Sequence, residues 1–407
     1  MRGLVITPEG PPQPDRAAGG QRRLSLFVRA AMMGSTTTEV LHIVAPGEAT
    51  TVSRTPAGAP FAGPIVRSCV EIRRAPTKTF WSHYGAGFLT ARGHPSYWAF
   101  CGAEQARAVR ECLTRRPDFV VVHRLAAMLT LLCAGVPDCP ILFDFDDVEH
   151  KAWLRAILAR PIRLGTLAEM AQLPAMHFAE RRAVAHAQAV SVCSETDRAY
   201  LVRLGLGTKV TVVPNAVTLP PDPGPLCSDP TLMFLGSYHH APNIVAAERL
   251  VTQIWPLVLA RVPAARLLVA GSPAHALASA RRPPPQVEYL GFVEDLAGLY
   301  GRSRVVVCPI TIGGGTRVKL VEAGAFGKPM VSTRIGAEGL CFANGKEILL
   351  RESDKDIADA CVKLLTDDQA CQRLGAAARR AAVSIYDDHA VTRQIQEILG
   401  RITRRRG

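Results

Sequence analysis

VKLVEAGAFGKPMVST, residues 318–333, opens as a run of helix formers, stops at Gly327-Lys328-Pro329 and restarts as a strand. Glycine just past a helical pattern followed by proline is a stop signal. ITIGGGTR, residues 310–317, stands directly ahead of it, so a glycine triplet opens the helix, with its start expected near Thr316. Positions 315, 318, 319 and 322 share one face, while Val318, Leu320, Val321, Ala323, Ala325 and Phe326 fill the rest. A helix apolar on nearly every side is buried, so a stripe of Lys319 and Glu322 is expected to line a cleft. A plain surface ion pair at i, i+3 is the competing reading, and it leaves the three glycines unexplained.

Outward from this stretch the same grammar repeats. LVIT (4–7), LHIVAP (41–46), FVVVH (119–123), ILFDF (141–145), AVSVC (189–193) and VTVVP (210–214) alternate with helical stretches. Proline-rich TLPPDPGPLCSDP (218–230) interrupts and reads as a linker. The alternation resumes with TLMFLG (231–236), ARLLVAG (265–271), VEYLG (287–291), RVVVCP (304–309) and PMVST (329–333), with helices expected at 243–261, 294–302, 316–327 and 354–381. Apolar strands separated by helices are parallel strands covered on both faces. Two doubly wound α/β domains therefore account for nearly the whole chain: residues 1–217, a linker at 218–230, and residues 231–385, followed by a last helical segment at 386–407. No period of 20 to 50 residues points to a solenoid.

Bulk properties agree. A chain of 407 residues exceeds what one hydrophobic core usually serves. The longest apolar run, LAAMLTLLCAGV at 125–136, falls short of the roughly 18 residues of a membrane helix and reads as a buried helix. Met1 leads into LVIT and a proline-rich loop without the apolar core of a signal peptide, so a cytoplasmic location is expected. The 11 cysteines show no C-x-x-C and no paired spacing, which favours reduced thiols over a zinc framework. The net charge of +13 is spread over doublets such as Arg73-Arg74, Arg181-Arg182 and Arg281-Arg282. No basic stripe interleaved with aromatics is present, so nucleic acid is not an expected partner. A diffuse positive field suits small polyanions and anionic membrane surfaces, and Arg404-Arg405-Arg406 is the candidate for peripheral membrane contact.

In such folds ligands bind beyond the carboxyl ends of the strands. The loop PEGPPQPDRAAGG after the first strand ends in Gly19-Gly20 at the start of RRLSLFVRAAM, where backbone amides could approach an anion, or where the loop is simply flexible. The glycine triplet Gly313-Gly314-Gly315 makes the same offer at the positive end of a helix dipole, with Arg317 and Lys319 adding charge. DFDDVEH (144–150) imitates a metal-binding D-x-D, but carboxylates at a strand end more often cap the next helix or face an acceptor. His123, closing FVVVH, is either a site residue or a core histidine bonded to a carbonyl.

GGGTRVKLVEAGAFGKPMVST, with FLGSYHHAPN (234–243), GFVEDLAGLY (291–300), VVPNAV (212–217) and SVCSETDRAYL (191–201), resembles retaining GT-B glycosyltransferases of family 4, glycosyltransferase group 1, and their bacterial exopolysaccharide members. The resemblance is dense in the second half and loose in the first. It implies two Rossmann-like domains facing an interdomain cleft, a nucleoside diphosphate sugar as donor, a lipid-linked or polysaccharide acceptor, no metal and no other cofactor, and retention at the anomeric carbon. The second of the family's two signature glutamates falls on Glu322, implying hydrogen bonds to the donor ribose. The first falls on Gly314, a departure at the position that contacts the donor sugar. Relatives often carry Arg and Lys after the first strand of the second domain, where this chain reads Gly236-Ser237-Tyr238-His239-His240, so Arg317 and Lys319 are expected to supply that charge. The base is expected near Phe292 and Val293, and His123 matches the family's active-site histidine. Donor contacts are accordingly expected from Gly19, Gly20, Gly236, Ser237, Tyr238, Phe292, Val293, Gly314, Gly315, Thr316 and Glu322, with His123, Arg317 and Lys319 acting on the reacting groups. The resemblance also implies closure about 218–230 and a last helix, YDDHAVTRQIQEIL (386–399), returning to the first domain. A sugar-nucleotide epimerase and a non-catalytic GT-B-like partner protein share this frame and remain the alternatives.

Overall fold

The computed structural model describes residues 1–11, 19–46, 65–72, 100–158 and 164–404. The chain divides into two compact units, one of Met1–Pro214 with His389–Gly407, the other of Asn215–Asp388.

The first unit carries a seven-stranded sheet in the order β3-β2-β1-β4-β5-β6-β7. Its strands are β1 (Arg2–Thr7), β2 (Thr37–Val44), β3 (Ile65–Glu71), β4 (Phe119–His123), β5 (Ile141–Asp146), β6 (Ala189–Val192) and β7 (Val210–Val212). Every pairing is parallel, with Val5 opposite both Val40 and Val121. All five residues of β4 are buried. Strands covered on both faces can be apolar throughout, which is why FVVVH is readable. β3 was not foreseen: an edge strand is half-exposed, and IVRSCVE mixes charge and apolar residues accordingly. The helix Asp388–Arg404 lays Val391, Ile395, Ile398 and Leu399 into buried positions at helical spacing, and Gln394 donates to the carbonyl of Val212 across 2.9 Å.

The second unit has a six-stranded parallel sheet in the order β10-β9-β8-β11-β12-β13, made of β8 (Thr231–Leu235), β9 (Arg266–Ala270), β10 (Val287–Gly291), β11 (Val305–Cys308), β12 (Met330–Ser332) and β13 (Leu349–Leu350). Only β13, two residues long, lacked a sequence signal. The stretch 218–230, read as a linker, lies within this unit. Thr218 bonds Asp388 across 2.9 Å, Arg379 reaches the carbonyl of Pro220 at 2.7 Å, and Arg304 reaches those of Cys227 and Ser228. The helix expected at 243–261 is divided by a wide turn at Leu250–Ile254 ahead of Pro256, whose ring cannot donate to the ladder. The one expected at 354–381 is two helices, Asp354–Thr366 and Asp368–Ile385, because Asp367 leaves helical geometry to cap the second through the amide of Ala370.

Candidate functional site

In the second unit β8 and β11 are neighbours from which crossovers leave to opposite sides, and the sheet's carboxyl ends there hold most of the expected donor residues. β8 runs into Gly236, whose amide donates to the carbonyl of Ala270 at 3.0 Å. Gly271, at φ +143, lies so close that a Cβ on it would stand 1.8 Å from the Gly236 oxygen. Only glycine allows this contact. A Cβ on Gly236 would in turn sit 3.0 Å from Lys319 Nζ.

The helix after the glycine triplet spans Val318–Ala325, two residues later than expected. Its Lys319 reaches back over the end of β8. Nζ donates to Asn243 Oδ1 at 2.8 Å and stands 4.4 Å from the Phe234 ring centroid. Asn243 is oriented by its own amide, which donates to the carbonyl of Ser237 at 2.8 Å. Burial pushes the Lys319 ammonium down to about 8; the nearby Cys308 thiol and Glu322 oppose that, and Arg317 adds to it. The hydrogen-bond partner of the ammonium is thus a neutral amide and not a carboxylate.

Glu322 is 6% exposed. The hydroxyl of Tyr300, itself fully buried and stacked on Phe326 at 4.5 Å, lies 3.2 Å from both Glu322 Oε2 and the carbonyl of Lys319. Lys319 and Glu322 are thus each tied to another element of the unit. Asn243 and Tyr300 are the residues the sequence reading missed; both lie inside motifs quoted for the resemblance, with nothing local to mark them.

The loop geometry is specific. Gly313 at φ +119 and Gly315 at φ +69 adopt left-handed backbone that glycine favours. Arg317, at the helix cap position, folds its guanidinium into this loop and donates to the carbonyls of Gly314 and Gly315, the latter at 2.7 Å. Its Nη2 is buried with no partner among the described residues. Thr316 accepts from Asn215 at 2.7 Å. Tyr238 turns its side chain into the core, its hydroxyl donating to the Ala270 carbonyl at 3.0 Å, and burial raises the phenol well above its ordinary value. Phe292, 52% exposed, and half-buried Val293 follow Gly291 at the end of β10, two places from β8 in the sheet order.

In the first unit the carboxyl ends of β1, β4 and β5 hold a buried charge network. His123 Nδ1 is 2.8 Å from Asp144 Oδ2, and both side chains are fully buried. Asp144 also receives Arg23, through Nε at 2.9 Å and Nη2 at 2.6 Å, and the Ser191 hydroxyl at 2.8 Å. Burial alone would raise this carboxyl, but Arg23 and then His123 hold it well below the usual carboxylate range. His123 therefore pairs with a carboxylate and not with a carbonyl, and its Nε2 is buried without a partner among the described residues. Asp144 neither caps a helix nor faces outward, because the Arg23 charge draws it inside. Asp146, at φ +57, meets Arg124, at φ +67, across 3.2 Å, and Arg23 across 3.5 Å. Guanidinium groups occupy the carboxylates that imitated a metal motif. Arg124 also pairs with Glu9 at 2.8 Å. Gly19-Gly20 form the first turn of the helix Gly19–Met33, and a Cβ on Gly20 would meet Arg124 Nη2 at 2.4 Å. That glycine makes room for an ion pair. The loop 12–18, the stretch 73–99 and Arg405-Arg406 lie outside the described residues.

Several known proteins share this architecture. Sucrose-phosphate synthase of Thermosynechococcus elongatus superposes with TM-score 0.70 at 15% identity over 99% of both chains. Anabaena Alr3699/HepE, crystallised with UDP-glucose, gives 0.62 at 14% identity over 98% of this chain and all of that one. TarM of S. aureus, in a complex with Fondaparinux, alpha-GlcNAc-glycerol and UDP, gives 0.55 at 14% identity; the match covers 70% of this chain and 55% of the TarM chain. At such identities the likeness establishes the fold. A sequence search of curated proteins finds no match. Residues 30–216 match the family described as glycosyl transferase 4-like domain, and residues 229–367 match glycosyl transferases group 1. With one such domain in each of its two parallel-sheet units, the chain is a glycosyltransferase of the GT-B fold.

Proposed function

We propose that this chain transfers a hexose from a nucleoside diphosphate sugar to a lipid-linked or polysaccharide acceptor, with retention at the anomeric carbon and without a metal. The observation that carries the reading is the Lys319–Asn243 and Glu322–Tyr300 pair of contacts on one helix beside the Gly236 turn. A diphosphate needs a cation with no carboxylate bonded to it, and Lys319 has an amide as its hydrogen-bond partner. A ribose needs a carboxylate acceptor, and Glu322 is held for it by a hydroxyl. Departure of the nucleoside diphosphate concentrates negative charge where Lys319, Arg317 and the amides of Gly314, Gly315 and Thr316 would stabilise it. The complexes of Anabaena HepE with UDP and with UDP-glucose support the donor class. His123, whose Nε2 has no partner among the described residues, is the group of the first unit we assign to the sugar. The basic last helical turn, Arg401 and Arg404, supports peripheral contact with an anionic inner membrane face.

Thermal-shift and calorimetric screening across UDP-, GDP- and ADP-sugars tests this. One class should bind, and Glu322→Ala should weaken it about 10- to 100-fold, the range for hydrogen bonds to a charged group. The reading fails if no sugar nucleotide binds, or if binding is indifferent to Glu322→Ala. Conversion of the donor sugar with no acceptor present would instead identify an epimerase.

A further inference from the structure

Away from both strand-end networks, the first unit carries a cluster that the glycosyl-transfer reading does not use. The helix Glu149–Leu158 brings His150, and the helix Leu173–His186 brings His177 and Glu180, one turn apart on one face. The His150 and His177 rings stand 4.9 Å apart at 73°. One donor atom from each of His150, His177 and Glu180 lies within 4.8 Å of the other two.

The supporting contacts orient these atoms toward one point. Glu180 Oε1 accepts the backbone amide of His150 at 3.0 Å, which turns Oε2 toward the imidazole, where it meets Nδ1 in a short hydrogen bond. His150 Nε2 is 2.7 Å from the Tyr200 hydroxyl. Glu180 is fully buried and His150 nearly so, while His177 is half-buried and opens the cluster to solvent. Neither ring nitrogen of His177 makes a hydrogen bond among the described residues.

We propose that His150 Nδ1, His177 and Glu180 Oε2 bind a divalent transition cation of the zinc type, clamping the two helices together. Two imidazoles and one carboxylate form a three-protein-ligand set that leaves a fourth position for water. The Tyr200 hydroxyl and the His150 amide supply the outer contacts that fix ligand orientation in such sites. On binding, the cation takes the lone pair of His150 Nδ1: in an imidazolium the Nδ1–H bond breaks and that proton leaves to solvent, while in a neutral ring the single proton is exchanged from Nδ1 to Nε2. Nε2 then carries the ring's remaining hydrogen and donates it to Tyr200. The two ligand atoms move apart to about 3.4 Å, the spacing in a tetrahedral shell of about 2.1 Å radius. The site is independent of the donor chemistry proposed above.

Chelator-stripped full-length protein titrated with Zn²⁺ and with Co²⁺ tests the proposal. One equivalent of Zn²⁺ should raise the melting temperature where Mg²⁺ does not, binding should release protons and weaken as pH falls, and Co²⁺ should give tetrahedral visible bands without a thiolate charge-transfer band. His177→Ala should abolish all three while keeping the melting temperature of the stripped protein and its response to sugar nucleotides. Thiolate charge transfer, an unchanged metal response in His177→Ala, or no stoichiometric uptake would overturn it.

Discussion

His123 donates from Nδ1 to Asp144 Oδ2 across 2.8 Å in a site where neither side chain touches solvent. Because Arg23 keeps Asp144 ionised against its burial, the carboxylate accepts and Nδ1 donates, while Nε2 has no partner among the described residues. Removing the anion takes from buried Arg23 its closest carboxylate and leaves Asp146 at 3.5 Å. Asp144→Asn should therefore cost up to about 3–5 kcal/mol, the range for removing one partner of a buried ion pair. Urea denaturation measures it, and a loss under about 1 kcal/mol would contradict the network.

Lys319 should give donor binding an alkaline limb. Burial lowers its ammonium to about 8, so the free protein carries this charge below that pH and loses it above. A bound diphosphate favours the charged form, and affinity should fall by up to tenfold per unit above pH 8. Calorimetry at pH 7 and pH 9.5 reads the slope, which Lys319→Met should flatten. An equal slope in the variant would assign the titration to another group.

His42 should set an acid limb of stability. It sits within β2 with Nδ1 2.8 Å from the Glu9 carbonyl, and burial, with Arg67 adding to it, lowers it to about 4, while the Glu9 hydrogen bond opposes the shift. The unfolded chain takes up a proton at its ordinary 6.5 and the folded one does not, so stability is intact above pH 6.5 and declines until pH 4. The span corresponds to about 3 kcal/mol. Asp144, whose folded value is depressed, acts only below its ordinary 3.8, which separates the two windows. His42→Gln should remove most of the decline in denaturation midpoint between pH 6.5 and 4. A slope that survives that substitution would refute the assignment.

What was legible followed from local physics. Strands covered on both faces are apolar throughout, so FVVVH, ILFDF and RVVVCP announced themselves, while edge strand β3 and the two-residue β13 did not. Lys319 and Glu322 stood out as the polar stripe of an otherwise apolar helix. Their partners did not, since Asn243 is 76 positions from Lys319 and Tyr300 is 22 from Glu322. The expectation that the strand-end carboxylates of DFDDVEH cap a helix or face an acceptor lost, at Asp144, to Arg23, which lies 121 residues away.

By itself the sequence determined the two parallel α/β units, the glycine turn before the Val318–Ala325 helix and the side chains that turn presents, because hydrophobic period and backbone permissiveness are properties of neighbours along the chain. Only the tertiary structure decided that Arg23 neutralises Asp144 beneath His123, that Asn243 holds Lys319, and that two helices of the first unit gather His150, His177 and Glu180. Each of these depends on Coulomb and hydrogen-bond distances between segments that sequence order leaves far apart.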